Sequence, residues 1–448
     1  MLSEHEAADR AAQLVEAAMK AGATAADAMI GLSHSSGISV RLGEIEDIDR
    51  SESFEVGLRL FVGQRVATVS TASIDPAGFA DLAARALAMA REAPEDSYAG
   101  LADPALLMRD DPAHLDLADP SEPDLASLQA RALAAEQAAR AVAGITNSNG
   151  GSASAGRSLT ALATSAGFAR AVAGTHYGLS ASVIAGSAGA LQRDYASHSV
   201  RHLSDLDAPQ DVGRRAGERA AARLNPQRPS SGPCPILFDP RVSPSLLGHL
   251  IAAITGSAIA RRTSFLLEDL DAQLFSSGIT VRDDPLRIRG LRSRSFDGEG
   301  LPCRPSNLID DGRLTGWIAE SASARQLGIA PTGHAGRGVG GSPGAGPSNL
   351  VMLPGTLSRE ALLRSVPRAI LVTELIGQGV NPVTGDYSRG AAGFMVEGGE
   401  IGPAVAEITI AGNLREMFRT LIPADDLEIR RGIDAPTLLI PEMTVASA

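Results

Sequence analysis

Apolar residues recur at helical spacing from the start of the chain. Ala7, Ala11, Leu14, Val15 and Ala18 fall on one stripe of residues 4–21. The pattern then changes to alternation. AADAMIGLS, GISVRLGEI, EVGLRLFVG and RVATVST alternate apolar and polar positions with short turns between them, as antiparallel strands do. PAGFADLAARALAMAREA (76–93) returns to helical spacing, with Pro76 suited to the first turn. Helix, strands and helix predict an α+β layer, an N-terminal domain over residues 1–93.

Residues 94–123 are rich in Pro and Asp and read as a linker. PDLASLQARALAAEQAARAVAG (123–144) is a long helix with a glycine stop at Gly144. From about 153 to 200 the text alternates in short pieces, LTALATSAG, FARAVAGTHYG and LSASVIAGS, which predict a second antiparallel sheet. QDVGRRAGERAAARL (210–224) is a helix that ends at Pro226. Residues 94–228 thus complete the N-terminal half as a central α+β region.

PSSGPCPILFDP (229–240) punctuates the chain, and the texture changes after it to short strands bounded by glycine. Residues 229–448 are expected to form a β-rich, barrel-like domain with a helix over 244–260 packed on it. In that helix LLGHLIAAITG (246–256) is apolar except for His249. No Asp, Glu, Cys or other His lies within five residues of it. A lone histidine in an apolar stripe reads as a hydrogen-bonded structural residue rather than a ligand.

Composition narrows the chemistry. The formal net charge of −12 disfavours nucleic acid and anionic membrane as partners. No run reaches the roughly 18 apolar residues of a membrane span. MLSEHEAADR has early acids and no apolar core, so no signal peptide is expected. Two cysteines, Cys234 and Cys303, suit a reducing compartment, and the expected location is the cytoplasm. Lys20 is the sole lysine, which excludes a phosphate-binding G-x-x-x-x-G-K loop and a Schiff-base lysine in the body of the chain.

Other candidate motifs are weak. His198 and His202 are four apart, but on a strand that puts them roughly 13 Å apart. His334 lies in a glycine tract, GHAGRGVGGSPGAGPSNL, without a neighbouring ligand. That tract matches G-x-G-x-x-G at Gly336, Gly338 and Gly341, and G-x-S-x-G at Gly340, Ser342 and Gly344. Pro343 and Pro347 oppose the helix that either motif requires. The tract is expected to line a cleft or to be a flexible surface loop.

Three blocks carry a family resemblance: RTSFLLEDLDAQLFSSGITVRDDP, SFDGEGLPCRPSNLIDDGRLTGWIAESASARQLG, and the long tail from TELIGQGVNPVTGDYSRG to LREMFRTL. They resemble the TldD/PmbA metallopeptidase family over essentially the whole chain, on its PmbA (TldE) branch. The TldD branch carries H-E-x-x-x-H on the helix opening its C-terminal domain and a further cysteine ligand near its end. Laid over this sequence, the two histidine positions fall on Gly248 and Ala253, the glutamate position falls on His249, and no cysteine follows Cys303. The resemblance implies a non-catalytic subunit that binds no cofactor, beside a TldD-like partner that carries zinc and cleaves unfolded or extended peptides. Sheet edges exposed on the C-terminal domain would suit that partner, or a homodimer in its absence. Two alternatives stand beside it: a self-sufficient metallopeptidase with atypical ligands, and a regulator of the kind labelled a gyrase modulator. Asn381, Tyr387, Ser388 and Arg389, in GQGVNPVTGDYSRG (377–390), could line a peptide groove or an interface. The same segment also reads as a packed turn built on Asn381-Pro382 and Gly385-Asp386.

Overall fold

The computed structural model describes residues 2–187 and 189–447. Its first helix, α1 (Glu4–Ala21), is closed at both ends by side-chain and backbone devices. The Ser3 hydroxyl accepts the Glu6 amide while the Glu6 carboxylate accepts the Ser3 amide, and Gly22 ends the helix at φ 110°. The strands β1 (Ala25–Arg41), β2 (Glu44–Val62) and β3 (Arg65–Thr71) follow, then α2 (Phe79–Glu92) and α3 (Leu125–Arg140). After them come β4 (Ile145–Thr164), β5 (Ala169–Ala185), β6 (Gln192–Val200) and α4 (Pro209–Ala222).

The six strands form one antiparallel sheet in the order β3-β2-β1-β4-β5-β6, not the two sheets predicted from sequence. The reason is the length of β1, which pairs along one edge with β2 and along the other with β4. Ile30 thus faces both Val56 and Ala161. AADAMIGLS also runs into GISVR without a turn, because Ser33 and Gly37 stay paired with Ser53 and Asp49.

Strand alternation sends Ala26, Ala28, Ile30 and Leu32 to the face covered by α1 and α2. At the other end Ile38, Val40, Leu179 and Ala181 pack under α3 and α4. These helices are alanine-rich and lie close together. A Cβ on Gly213 of α4 would sit 2.0 Å from the Ala135 carbonyl oxygen of α3. Beyond Val56, towards its start, β2 loses its β3 neighbour, and residues 44–55 are exposed on both faces.

The expected linker over 94–123 is instead a packed strap. It holds no strand or α-helix, but Ala102 and Leu107 are buried in a cluster with Met29, Leu162, Phe168 and Leu301. The Leu117 carbonyl accepts the Thr175 amide at 2.9 Å. Its spaced apolar residues supply the second layer that this sheet face needs, which a count of Pro and Asp does not register.

The C-terminal half starts with β7 (Gly232–Phe238), α5 (Pro244–Ile254) and α6 (Gly256–Ala260). A small sheet region contains β8 (Val281–Asp283), β9 (Ser306–Asp310) and β10 (Arg313–Leu314), followed by α7 (Ser321–Leu327). The hairpin β11 (Ala335–Gly336) and β12 (Gly344–Ala345) precedes β13 (Leu350–Met352) and α8 (Arg359–Arg364). Then come β14 (Arg368–Ile376), β15 (Asp386–Glu397), β16 (Glu400–Asn413) and α9 (Leu414–Thr420). The last strands are β17 (Ile422–Pro423), β18 (Ile433–Asp434) and β19 (Leu438–Ser447). Strands β16-β15-β14-β7-β19 pair in that order, and β19 pairs back onto β16 through Ile410 and Val445. The ring is a closed five-stranded barrel. Closure removes its edges, so the exposed edges expected on this domain are absent from the barrel.

Two further expectations change. The helix over 244–260 breaks at Thr255, whose extended backbone pairs with Ile318 and whose hydroxyl caps α6. The glycine tract is packed over part of its length rather than lying free at the surface. It reaches the face of the first sheet, where Gly31 and Gly57 make room for Val339, and a Cβ on Gly57 would fall 1.8 Å from the Val339 carbonyl oxygen. Beside it the fully buried side chain of Arg337 bonds Asp27 at 2.6 Å, and Asp27 also accepts Arg59 Nε at 2.9 Å. Among the described residues no helix is long and apolar enough to cross a membrane.

Candidate functional site

Helix α5 starts at Pro244, whose fixed φ suits a first turn. Leu246, Leu247, Leu250, Ile251, Ala253 and Ile254 are buried, in the same core as Phe238 of β7 and Val372 of β14. Ser245, Gly248, His249 and Ala252 lie three and four apart on the remaining, more open face. A side chain added at Gly248 would enter open space. That face therefore borders a void where the core face does not.

His249 is half-buried and stands edge-on to Tyr387, with ring centroids 5.9 Å apart and planes at 80°. Tyr387 and Arg389 alternate on β15 and so point to the same side, whereas Ser388 points the other way and is exposed. One buried atom of each polar group lacks a hydrogen bond of normal geometry. His249 Nε2, the Tyr387 hydroxyl and Arg389 Nε are buried with no hydrogen bond. Burial, then the Arg389 charge, lowers the imidazole pKa and favours neutral His249. Burial pushes the Tyr387 hydroxyl up to about 12, opposed by the Arg389 guanidinium beside it.

These residues do not match the donor set of a zinc centre, which needs about three converging ligands. Gly248 has no side chain, Ala253 is buried and apolar, and the neighbour of the single imidazole is a cation. Among the described residues no group of three His, Cys, Asp or Glu side chains is placed to hold a metal ion. Cys303 is buried elsewhere, its thiol donates to the Gly333 carbonyl at 3.1 Å, and burial raises its pKa to about 12.

Arg389 opens onto a cavity of about 400 Å³ between the two halves of the chain. From the first sheet come Arg193, Asp194 and Tyr195 of β6, and α4 is followed there by Arg223. From the barrel side come Arg241, Ser245 of α5, and Thr373 and Glu374 of β14. A bulge in β14 skips Thr373, since Val372 pairs with Gly393 and Glu374 with Ala392. Such an extra residue re-aims the side chains around it. Asp194 is buried and takes two bonds from Arg241, at 2.5 and 3.2 Å, and one from Arg223 at 3.4 Å. Burial alone would raise the Asp194 pKa, but Arg241, Arg223 and the Tyr195 amide hold it below the ordinary value. Arg223 also bonds Glu374.

The remaining sequence candidates are dispersed. Asn381 Oδ1 accepts the Val383 amide at 2.9 Å, which makes it a turn former. His198 meets Asp207 and His202 meets Asp116, so the two histidines do not converge. His334, without a partner in its own stretch of sequence, lies 3.4 Å from Asp283. Asp194, Arg223, Arg241 and Glu374 were not expected from sequence. Each is an ordinary charged residue in its own segment, and only the meeting of β6, the end of α4 and β14 assembles them.

Three family models match the chain: PmbA/TldA metallopeptidase domain 1 over residues 26–90, the central domain over 118–224 and the C-terminal domain over 231–447. The chain is 37% identical over 422 residues to Metalloprotease PmbA of Escherichia coli O157:H7, covering 94% of this chain and 92% of that protein. It is 36% identical to the Metalloprotease PmbA homolog of Haemophilus influenzae, covering 96% and 94%. The fold superimposes on TldE from Thermococcus kodakarensis with a TM-score of 0.87 at 21% identity, covering 98% of this chain and all of that one.

Proposed function

The chain belongs to the PmbA/TldD metallopeptidase family, and on that premise we propose that it is the non-catalytic subunit of a two-component zinc protease. The observation that carries the reading is the face of α5. Where the TldD branch places two histidines and a glutamate, this chain has Gly248, Ala253 and His249, with Arg389 beside the imidazole. A neighbouring guanidinium opposes a dication by Coulomb repulsion and favours an anion. In this reading the chain holds no cofactor, and zinc sits on a TldD-like partner. The substrates are unfolded or extended peptides. Arg389 belongs to the peptide-handling surface with Tyr387 buried beside it, while Asn381 shapes the neighbouring turn. Without its partner the chain pairs with a second copy of itself.

The test is reconstitution. This chain is mixed with a TldD-like subunit, followed by size-exclusion chromatography and an assay on an unfolded polypeptide. Co-elution and cleavage that zinc chelation abolishes are expected. Equal cleavage by the partner alone, without co-elution at micromolar concentration, overturns the reading. Cleavage by this chain alone favours the self-sufficient metallopeptidase instead.

A further inference from the structure

We propose that the cavity of about 400 Å³ between β6, α5 and β14 is a carboxylate-binding site for an extended peptide, with Arg389 as the receiving group. The inference rests on reading the chain as a peptide-handling subunit and adds which part of the peptide it holds.

Four arginines line the cavity, Arg193, Arg223, Arg241 and Arg389, against two carboxylates, Asp194 and Glu374. The carboxylates are already engaged. Asp194 is taken by Arg241 and Arg223, and Glu374 by Arg223. Arg389 is left over: it makes no ion pair among the described residues, its Nε is buried without an acceptor, and its close polar neighbour is the uncharged Tyr387 hydroxyl rather than a carboxylate. A guanidinium has five N–H donors in a planar fork and cannot shed its proton. Half-buried and unpaired, it is unfavourable by itself and becomes favourable when an acceptor arrives. The acceptor with matching geometry is a carboxylate, which takes two parallel N–H bonds.

The surroundings set what else fits. Beside Arg389, His249 Nε2 and the Tyr387 hydroxyl are also buried without a hydrogen bond of normal geometry, and burial disfavours the charged imidazole that would compete for the anion. Arg193 is exposed at the rim and adds attraction without a fixed contact. Two carboxylate sources share this chemistry, the C-terminus of a peptide and an acidic side chain within it.

Isothermal titration of the full-length chain tests the assignment. The ligands are an N-acetylated hexapeptide of Ala, Gly and Ser with a free C-terminus, its C-terminal amide, the amide with one internal glutamate, and inorganic phosphate. The free acid should bind roughly tenfold or more tightly than the plain amide, with the difference shrinking in high salt. The glutamate-bearing amide identifies the source: affinity equal to the free acid assigns a side-chain carboxylate, and affinity equal to the plain amide assigns the C-terminus. Arg389→Gln should erase the preference with an unchanged melting temperature, and Arg389→Lys should restore only part of it, having charge without the fork. Equal binding of acid and amide, no binding of either, retention of the preference in Arg389→Gln, or displacement by phosphate at the peptide's own concentration overturns the assignment. If the mixture with a TldD-like subunit still cleaves while acid and amide bind alike, only this assignment fails. If co-elution fails while the preference persists, the subunit reading fails and the site stands.

Discussion

Two buried polar clusters in this chain contrast. Around Asp297 both carboxylate oxygens are occupied: Oδ1 accepts the Glu299 and Leu301 amides at 2.9 and 3.0 Å, and Oδ2 accepts the Ala335 amide at 3.1 Å. Glu299 in turn accepts the Ser321 amide and hydroxyl at 2.8 and 2.7 Å. Around His249 three buried polar atoms, His249 Nε2, the Tyr387 hydroxyl oxygen and Arg389 Nε, have no hydrogen bond of normal geometry. The first cluster lies in the SFDGEG block and ties the glycine tract and α7 to it. The second joins α5 to β15 and opens on a cavity. An unpaired buried polar group costs about 1–3 kcal/mol, and apolar residues could fill these positions without that cost. The satisfied cluster explains the fold. The unsatisfied one is a cost to the fold that a ligand would relieve.

Breaking the satisfied cluster should have the largest effect. Asp297→Ala leaves three backbone donors unpaired and should lower unfolding free energy by about 3–5 kcal/mol in urea titration; a loss below about 1 kcal/mol would contradict its structural role. The two fully buried tyrosines sharpen the contrast. Tyr177 donates to the Ser121 carbonyl at 2.6 Å, and Tyr387 donates to nothing. Tyr177→Phe should therefore destabilise by about 1 kcal/mol, and Tyr387→Phe should be neutral or stabilise by up to about 1 kcal/mol, in the same titration. Equal losses would show that Tyr387 has a partner.

A smaller effect should appear in pH dependence. The folded-state pKa of His249 lies below its ordinary value of 6.5. Below that value the unfolded chain binds a proton that the folded chain refuses, so stability falls as pH drops from about 6.5 through the depressed pKa. His249→Leu lacks this loss. The melting temperature of the parent should fall relative to the variant between pH 7.5 and 5.5, and parallel curves would show that His249 is not held neutral. The smallest effect belongs to Ser388, which faces away from Tyr387 and Arg389. Ser388→Ala should change stability by less than about 0.5 kcal/mol and leave peptide binding as it was, and a loss of binding would move the site to the other face of β15.

The helices were legible in the sequence, since Ala7, Leu14 and Ala18 repeat at the spacing that buries them. The single sheet was not. The middle of β1 and the first half of β4 read SHSSGIS and TNSNGGSASAG, which resemble turns, but these small residues serve close approach. A Cβ on Gly151, for example, would lie 2.4 Å from the Ala132 carbonyl of α3. The candidate site was half legible. The resemblance pointed to α5, and the period-two spacing of Tyr387 and Arg389 puts them on one face. The cavity was not legible, because Arg389 and Asp194 meet it from segments nearly two hundred positions apart.

The central claim is that α5 faces an anion, not a metal, while the partner supplies zinc. The most direct measurement is metal content after reconstitution with a TldD-like subunit: the complex is dialysed, its subunits separated, and zinc counted on each. The expected result is zinc on the partner and far below stoichiometric zinc on this chain. Stoichiometric zinc on this chain that His249→Ala removes would contradict it.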